Sequence, residues 1–250
     1  KSNGAYRHPD GRTAVFLGDL IDGGTENAAV IGIVRAMLSE KTAHCIMGNH
    51  ELNAILVHAD GEQGPLRAHS EKNILQHKTY LDELPLRHAA TSDVIAFFTS
   101  LPLCLDFGAF RVVHACWHFA SLRQLGFDGT SCFLDTDDLA AASGDTLDQN
   151  PVALLLKGPE VPLPNGYSFK DFKGHERSEV RLKWWGSVEG SLRDVVLSVP
   201  DVEDIPEVSI PAEIRDILYP EHQPPVFCGH YKMRGTPGIS SSNAACLDFP

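Results

Sequence analysis

The sequence lacks any apolar run approaching the roughly 20 residues that a membrane-spanning helix needs. It is also poor in positive charge, with 21 Lys and Arg residues against 33 Asp and Glu residues and a formal net charge of -12. A nucleic-acid backbone usually binds to clustered Lys and Arg, so this class of partner is disfavoured. The acidity does not exclude an anionic substrate, because bound divalent metal ions invert the local potential.

The sequence also lacks closely spaced cysteine pairs. The sequence has six cysteines but no Cys-x-x-Cys pair, and most of them lie within apolar segments. In a chain of 250 residues, such scattered cysteines indicate buried free thiols in a reducing compartment rather than a disulfide framework. We therefore expect a cytoplasmic protein without membrane contact. The six are Cys45, Cys104, Cys116, Cys132, Cys228 and Cys246.

The apolar pattern predicts an α/β fold, or α+β layers, with a mixed sheet. Apolar runs at 13–17 and 44–47 flank a helical pattern at 25–38 with Thr25 as its cap. This spacing predicts a βαβ unit with parallel strands. Further helices are predicted at 70–84 and 92–101, and further strands at 103–107, 110–114, 225–228 and 243–249.

The whole chain, residues 1–250, is predicted to form one domain with a loop-rich insertion at about 158–220, where Pro, Gly and acidic residues interrupt the pattern. The sequence begins with Lys1 rather than Met and ends just after a strand-like segment, so we expect it to be a fragment. The absence of a leader sequence is therefore uninformative.

Four predicted strands end in residues that can bind metal ions. Asp19 and Asn49 follow the first two strands, and His114 and His230 end two later ones. Ligand and metal sites in open α/β sheets lie beyond the carboxyl ends of the strands, so we expect these side chains to converge at the edge of a sheet. Carboxylate, amide and imidazole ligands suit a hydrolytic metal centre better than an electron-transfer centre.

Such a centre predicts the hydrolysis of phosphate esters. The nucleophile would be a hydroxide shared by two metal ions, and Asp19 suits the bridging position because a carboxylate has two oxygens. His50, next to Asn49, would protonate the leaving-group oxygen as general acid. Asp22 would orient His50 by accepting its other ring N–H.

Each of these residues also has an ordinary structural interpretation. The segment 19–24 could form a strand-ending turn, Asn49 could be the N-cap of a helix, and His230 could be a turn residue. His114 could be a core histidine, and His118 competes with it for the ligand position if that stretch is helical. Four such strand ends in one chain favour the metal site.

Two glycine-containing motifs and two histidines follow one another in a specific order. The motifs are Gly18-Asp19-Leu20-Ile21-Asp22-Gly23-Gly24 and Gly48-Asn49-His50-Glu51, followed by a strand-ending His114 and by Gly229-His230. This order resembles the calcineurin-like metallophosphoesterase superfamily, and Gly-Asn-His-Glu is similar to the form in its protein-phosphatase and diadenosine-tetraphosphatase branches. Further segments resemble a bacterial group of that superfamily and extend the likeness over nearly the whole chain; they lie at 67–73, 112–118, 174–177, 183–185 and 227–231.

The resemblance implies a four-layer α/β/β/α sandwich with mixed sheets and two divalent metal ions. Asp19 would bridge the two ions, with Asn49, His114 and His230 on the second. Mn²⁺ is the expected metal, with Fe, Zn, Ni or Mg as alternatives. The implied activity is that of a metal-dependent phosphoesterase, and its substrate would be a phosphoprotein, a dinucleoside polyphosphate or a small phosphomonoester.

Two departures from the family pattern bear on activity. The family's first motif, Asp-x-His after an initial strand, does not precede Asp19, so we expect a chain that lacks its first strand, is cut at both ends and is impaired as an enzyme. Gly23 stands where the phosphatase branches carry an Arg that grips the substrate phosphate. Arg67, Arg177 and Lys232 are candidate replacements, with an ordinary surface position as the alternative for each.

The departures also motivate a second hypothesis, a non-catalytic binding module on the same fold. A zinc-stabilised structural domain is disfavoured, because structural zinc prefers closed sets of Cys and His ligands. Tyr167, Trp184 and Trp185 could stack on a nucleotide base, with core packing as the alternative.

Overall fold

The computed structural model describes residues 5–61, 64–135, 138–139, 142, 150–172, 174–186 and 189–249, which form a mixed α/β structure. The α-helices in these ranges are α1 (Asn27–Ser39), α2 (Asn49–His58), α3 (Glu71–Gln76), α4 (Lys78–Glu83), α5 (Ala89–Thr99), α6 (Phe119–Gln124), α7 (Pro151–Lys157), α8 (Leu192–Val195) and α9 (Ala212–Arg215). The strands are β1 (Ala14–Phe16), β2 (Ala43–Cys45), β3 (Asp60–Gly61), β4 (Gly64–Pro65), β5 (Cys104–Asp106), β6 (Arg111–Val113), β7 (Ser131–Cys132), β8 (Glu160–Pro162), β9 (Phe169–Lys170), β10 (Glu176–Arg177), β11 (Glu179–Leu182), β12 (Val196–Leu197), β13 (Val226–Cys228) and β14 (Ala244–Cys246). None of the described helices is long and apolar enough to span a membrane.

The first two strands form the predicted βαβ unit. β1 and β2 pair in parallel, with Ala14 opposite Ala43 and Phe16 opposite Cys45. Helix α1 connects them and packs against β2. Parallel pairing brings the carboxyl ends of both strands to the same side, which is where the two glycine-containing motifs begin.

The start of α1 differs from the sequence prediction. Thr25 is not the cap, because the helix begins at Asn27 and its N-cap residue, Glu26, makes no capping bond through its side chain. Instead, the carboxylate of Glu83 in α4 accepts hydrogen bonds from the N–H groups of Asn27 and Ala28. A residue distant in sequence therefore satisfies the free N–H groups at this helix start.

A five-stranded mixed sheet supplies the other two strand ends. Its order is β14-β13-β6-β5-β7. β5 and β6 form the predicted antiparallel hairpin, whereas β13 runs parallel to both β6 and β14. The four predicted ligands therefore come from two sheets rather than from one edge, with Asp19 and Asn49 after β1 and β2, and His114 and His230 after β6 and β13.

One apolar core joins the two sheets. It includes Met47 after β2, Ile55 in α2, Phe98 in α5 and Val113 in β6. All six cysteines are free and buried, which confirms the prediction of buried thiols. The core thus fixes the relative positions of the strand ends that carry the candidate ligands.

The region predicted as a loop-rich insertion contains short elements of its own. β8, β11 and β12 form a three-stranded antiparallel sheet. Around it lies a second apolar cluster that includes Leu163, Val180, Leu182 and Ile205. The prediction of a single domain with an insertion stays a prediction.

The predicted single helix at 70–84 is interrupted. The structure has α3 up to Gln76 and α4 from Lys78, with His77 between them at φ -105° and ψ 18°. The apolar periodicity continues through the break, so the sequence pattern alone did not indicate it.

Candidate metal centre and catalytic site

Two glycines allow the motifs after β1 and β2 to touch. Gly18 has φ +88°, and a Cβ placed on it would lie 2.4 Å from the backbone nitrogen of Gly48. A Cβ on Gly48 would lie 2.5 Å from the backbone nitrogen of Asp19. Any larger side chain at either position would force the two loops apart, because real Cβ atoms do not approach so closely.

Glu51 links the same two loops through its carboxylate. Oε2 accepts hydrogen bonds from the N–H groups of Gly48 and Asp19, each at 2.9 Å, and Oε1 accepts one from Leu20 at 2.7 Å. The residue is fully buried. Burial and the nearby charge of Asp19 raise the pKa of Glu51. Glu51 thus holds Asp19 and Asn49 at the ends of their strands.

Four polar atoms from the four strand ends converge beside these loops. Asn49 Oδ1 lies 2.9 Å from both His114 Nε2 and His230 Nδ1. Asp19 Oδ1 lies 3.4 Å from His114 Nε2. Ligand atoms on one divalent ion at about 2.0–2.2 Å are separated from each other by about 3–3.5 Å. The arrangement therefore fits a set of ligands to a single ion.

His114 is positioned as metal-binding histidines commonly are. Its side chain is buried, and Nδ1 donates a hydrogen bond to the carbonyl oxygen of Leu17 at 2.5 Å. With the proton on Nδ1, the lone pair of Nε2 is directed towards Asn49 and Asp19. A backbone carbonyl that accepts from one ring nitrogen fixes the tautomer and orients the other nitrogen for binding a metal ion.

His230 is held in its neutral form. Burial, together with the neighbouring charges of His114 and Arg181, lowers its pKa to about 2. Its ring lies edge-on to that of His114, with centroids 5.3 Å apart. A neutral imidazole can bind a metal ion without first losing a proton.

Three of the six non-glycine residues with positive φ in the described part of the chain lie at this site. Asp19, Asp22 and His230 have φ values of 55°, 68° and 66°. These values lie in the left-handed region, which residues other than glycine rarely adopt. Such residues cost about 1–3 kcal/mol each and persist where the surrounding structure holds them, often at functional sites. Three of the predicted site residues therefore carry an independent indication of function.

Asp22 lies between two histidines. Its side chain is buried, and Oδ2 accepts hydrogen bonds from His50 Nδ1 at 3.0 Å and from His77 Nδ1 at 2.5 Å. Burial raises the pKa of Asp22, but the two histidines outweigh it, so the net shift is downward. Burial lowers the pKa of His50, but the hydrogen bond to Asp22 and the charges of Asp19 and Glu51 raise it overall.

His77 is the site residue that the sequence interpretation missed. It lies within a stretch predicted as one helix, and no motif marks it. The one signal in the sequence was a histidine within a predicted amphipathic helix, and the structure shows that its side chain is buried. Its partner, Asp22, is 55 residues away in sequence.

Two ordinary interpretations of the motif residues do not hold. Asn49 is the first residue of α2 rather than its N-cap, which is Gly48. His118 is the N-cap of α6, where Nδ1 accepts a hydrogen bond from the N–H of Ser121. The structure thus brings His114, rather than His118, to Asn49.

Arg67 ties two helices together. Its guanidinium donates hydrogen bonds to Asn53 Oδ1 in α2 at 2.7 Å and to Gln76 Oε1 in α3 at 2.8 Å. These two bonds use guanidinium N–H groups of Arg67 to join α2 and α3 beside His77.

The other two predicted phosphate-binding residues lie on the surface. Arg177 in β10 is exposed and forms an ion pair with Asp171 at 2.9 Å. Lys232 is exposed two residues after His230. Gly23 is exposed, and a Cβ there would meet nothing within 4 Å. A role for these cations in binding substrate stays a prediction.

Trp184 and Trp185 belong to the core. They are 0% and 4% exposed, and their rings pack edge-on to each other. Core packing, the alternative to stacking on a base, is therefore confirmed for both. Tyr167 is 49% exposed.

A mixed α/β fold whose strand ends gather a carboxylate, an amide and two imidazoles is typical of proteins that hold a catalytic metal at that edge. Comparison with family models identifies the family to which this class of protein belongs. The model of the calcineurin-like phosphoesterase family matches residues 5–232. The chain belongs to the calcineurin-like phosphoesterase family.

The chain is also similar to curated bacterial proteins named bis(5'-nucleosyl)-tetraphosphatase PrpE [asymmetrical]. It is 34% identical to that of Halalkalibacterium halodurans over 105 residues, which cover 36% of this chain and 42% of the relative. It is 51% identical to that of Geobacillus thermodenitrificans over 43 residues, or 17% of this chain and 18% of the relative. With that of Oceanobacillus iheyensis the identity is 44% over 48 residues, 19% of each. The chain thus spans less than half the length of the relatives it matches.

Proposed function

We propose that this protein is a metal-dependent phosphoesterase. The observation that carries the proposal is the convergence of Asp19, Asn49, His114 and His230 from four strand ends, with contacts of 2.9–3.4 Å between their polar atoms. Membership in the calcineurin-like phosphoesterase family supports it.

The four residues would hold a divalent ion through Asp19 Oδ1, Asn49 Oδ1, His114 Nε2 and His230 Nδ1. Mixed oxygen and imidazole ligands are compatible with Mn²⁺, and also with Fe, Zn, Ni or Mg. When bound, the ion supplies Lewis-acid polarisation of a phosphoryl oxygen and of water. These four atoms account for one ion, and the two-ion centre with Asp19 as its bridge stays a prediction.

His50 would act as general acid. Its Nδ1 donates to the buried carboxylate of Asp22, and its side chain is 35% exposed, so Nε2 is left to hold a proton for the leaving-group oxygen. The raised pKa of His50 favours the protonated ring near neutral pH. The Asp22–His50 pair also favours an enzyme over a non-catalytic binding module, since binding alone needs no oriented proton donor.

The substrate proposed first is a dinucleoside polyphosphate, because the similar proteins are named tetraphosphatases. A phosphoprotein and a small phosphomonoester are the competing classes. Whichever class is bound, acidic surroundings with a net charge of -12 would oppose a polyanion unless the metal ion is present.

A substrate panel tests the proposal. The product of the complete gene is assayed with Mn²⁺ on an aryl monoester, an aryl diester, diadenosine tetraphosphate and a phosphopeptide. We expect hydrolysis that chelation abolishes and added metal restores. Activity that survives exhaustive chelation would contradict metal dependence, and a wild-type protein inactive on all four would contradict the proposed function.

Variants separate the ligands from the acid. Asn49→Ala should lose both bound metal and activity, whereas His50→Ala should keep the metal and lower turnover by about 10²–10⁴-fold, the usual contribution of a general acid. His222→Ala, which removes an exposed histidine, is the matched control and should change neither. Full metal binding by Asn49→Ala would contradict the ligand assignment.

A further inference from the structure

His77 occupies an unusual position for a histidine. It is 1% exposed and lies at the break between α3 and α4, where the apolar pattern of the sequence favours an uninterrupted helix. The backbone at the break is satisfied, because the His77 N–H donates to the carbonyl oxygen of Ile74 and the His77 carbonyl accepts from Leu81. The side chain of His77 is directed to Asp22, and Nδ1 donates a hydrogen bond to Asp22 Oδ2 at 2.5 Å.

His77 and His50 donate to the same oxygen of Asp22. Their rings stand nearly perpendicular, 83° apart, with centroids separated by 6.4 Å. An ionised carboxylate only accepts hydrogen bonds, so both Nδ1 atoms carry their proton. The buried Asp22 carboxylate is thus held by the buried His77 and presents the same oxygen to the partly exposed His50.

The surroundings of Asp22 hold the backbone as well. The Asp22 N–H donates to Asn27 Oδ1 at 2.8 Å, and the Asn27 side chain donates to Glu83 in α4. The segment from His77 to Glu83 therefore contacts Asp22 directly at one end and through Asn27 at the other. These contacts tie the orientation of the carboxylate to the position of α4.

We propose that His77 is a positioning residue for the reaction: its Nδ1–H holds the Asp22 carboxylate in the orientation that aims the His50 ring at the substrate. The inference rests on the proposed function, because it assigns His77 a part in the same site. Among the hydrogen bonds of the described residues, that of the His77 side chain goes to Asp22 rather than to a candidate metal ligand, so its effect on turnover passes through Asp22 and His50.

Asp22, His50 and His77 could also be taken for a cation site, since one ligand atom from each lies within 4.8 Å of the others. The geometry disfavours this, because both Nδ1 atoms point at one carboxylate oxygen as hydrogen-bond donors. The metal content of the His77→Leu variant is therefore measured as part of the test.

A matched pair of variants carries the test. His77→Asn keeps an N–H donor at the δ position of the side chain. His77→Leu places a methyl group at that position and so removes the donor while keeping a side chain of similar size. We expect His77→Leu to lower kcat about 10- to 100-fold, as loss of an orienting partner commonly does, with KM changed less than about threefold. His77→Asn should recover most of the loss. His58→Leu removes a half-buried histidine that packs on Tyr80 in the same region and should leave kcat unchanged.

The decisive arm is the double variant. If His77 acts through His50, then His77→Leu should have no further effect on kcat in a His50→Ala background. An equal fold-loss in both backgrounds would overturn the proposal, and so would loss of a metal equivalent in His77→Leu.

Proton NMR gives a readout that does not depend on turnover. The Nδ1 protons of His50 and His77 should appear as two downfield resonances in the wild-type protein, and comparison with His50→Ala assigns them. His77→Leu should lose both resonances, whereas His77→Asn should retain that of His50. Retention of the His50 resonance in His77→Leu would overturn the proposal. If the wild-type protein hydrolyses none of the panel, the proposed function fails, while these spectra still decide whether His77 orients the pair.

Discussion

Glu51 gives the clearest energetic prediction of the structure. Its carboxylate accepts three buried backbone N–H groups, from Gly48, Asp19 and Leu20. Leaving a buried donor without a partner costs about 1–3 kcal/mol. Glu51→Ala removes all three acceptors, so we expect it to lower the free energy of unfolding by about 3 kcal/mol or more.

Glu51→Gln refines the prediction. The amide keeps one oxygen and faces at least one of the three backbone donors with its own N–H groups, so the expected loss is about 1–3 kcal/mol. Burial raises the pKa of Glu51, so both variants relieve part of the cost of burying its charge. Gln should be milder than Ala because it keeps one acceptor oxygen.

The assay is equilibrium urea unfolding followed by circular dichroism and tryptophan fluorescence. Glu221→Ala, at an exposed position, is the control and should stay within about 0.5 kcal/mol of wild type. If Glu51→Ala also stays within about 1 kcal/mol, or if Ala and Gln cost the same, the three-acceptor linkage of the two loops would be refuted.

Three further predictions follow. Gly48→Ala should lower the free energy of unfolding by about 1–3 kcal/mol and weaken metal binding, because the new Cβ would lie 2.6 Å from Asp19 Oδ1. An unchanged affinity for Mn²⁺ in calorimetry would contradict this prediction. Arg111→Lys should cost about 1–3 kcal/mol in urea unfolding, because Lys cannot reproduce the bond to Asp106 together with those to Tyr219 and Gln223. A change below about 0.3 kcal/mol would refute this prediction. The pKa of His50 is raised above its ordinary value of 6.5, so kcat should fall as pH rises through the shifted pKa, and a profile that keeps this fall in His50→Ala would contradict its role as acid.

Local patterns were sufficient to predict the framework of the fold. The βαβ unit was predictable because β1 and β2 are short apolar runs separated by a helical period, and the β5–β6 hairpin because a turn glycine separates two apolar segments. The convergence of the candidate ligands was predictable because each is a polar residue that follows a predicted strand. These features depend on neighbours close in sequence.

The remaining features depend on residues far apart in sequence. Glu83 caps α1 from more than 50 positions away, and His77 interrupts a periodic helix to reach Asp22. The candidate ligands come together from two sheets through long-range contacts such as the hydrogen bond from His114 to the carbonyl oxygen of Leu17. No local propensity encodes such contacts, because their energy exists only in the folded chain.

The proposed function requires that Asp19, Asn49, His114 and His230 bind one divalent ion. Anomalous diffraction from crystals grown with Mn²⁺ would locate that ion. We expect a peak at bonding distance, within about 2.3 Å, of the four named polar atoms. A strong peak at Asp22 and His77 instead, or ordered crystals with no peak among the four residues, would contradict it.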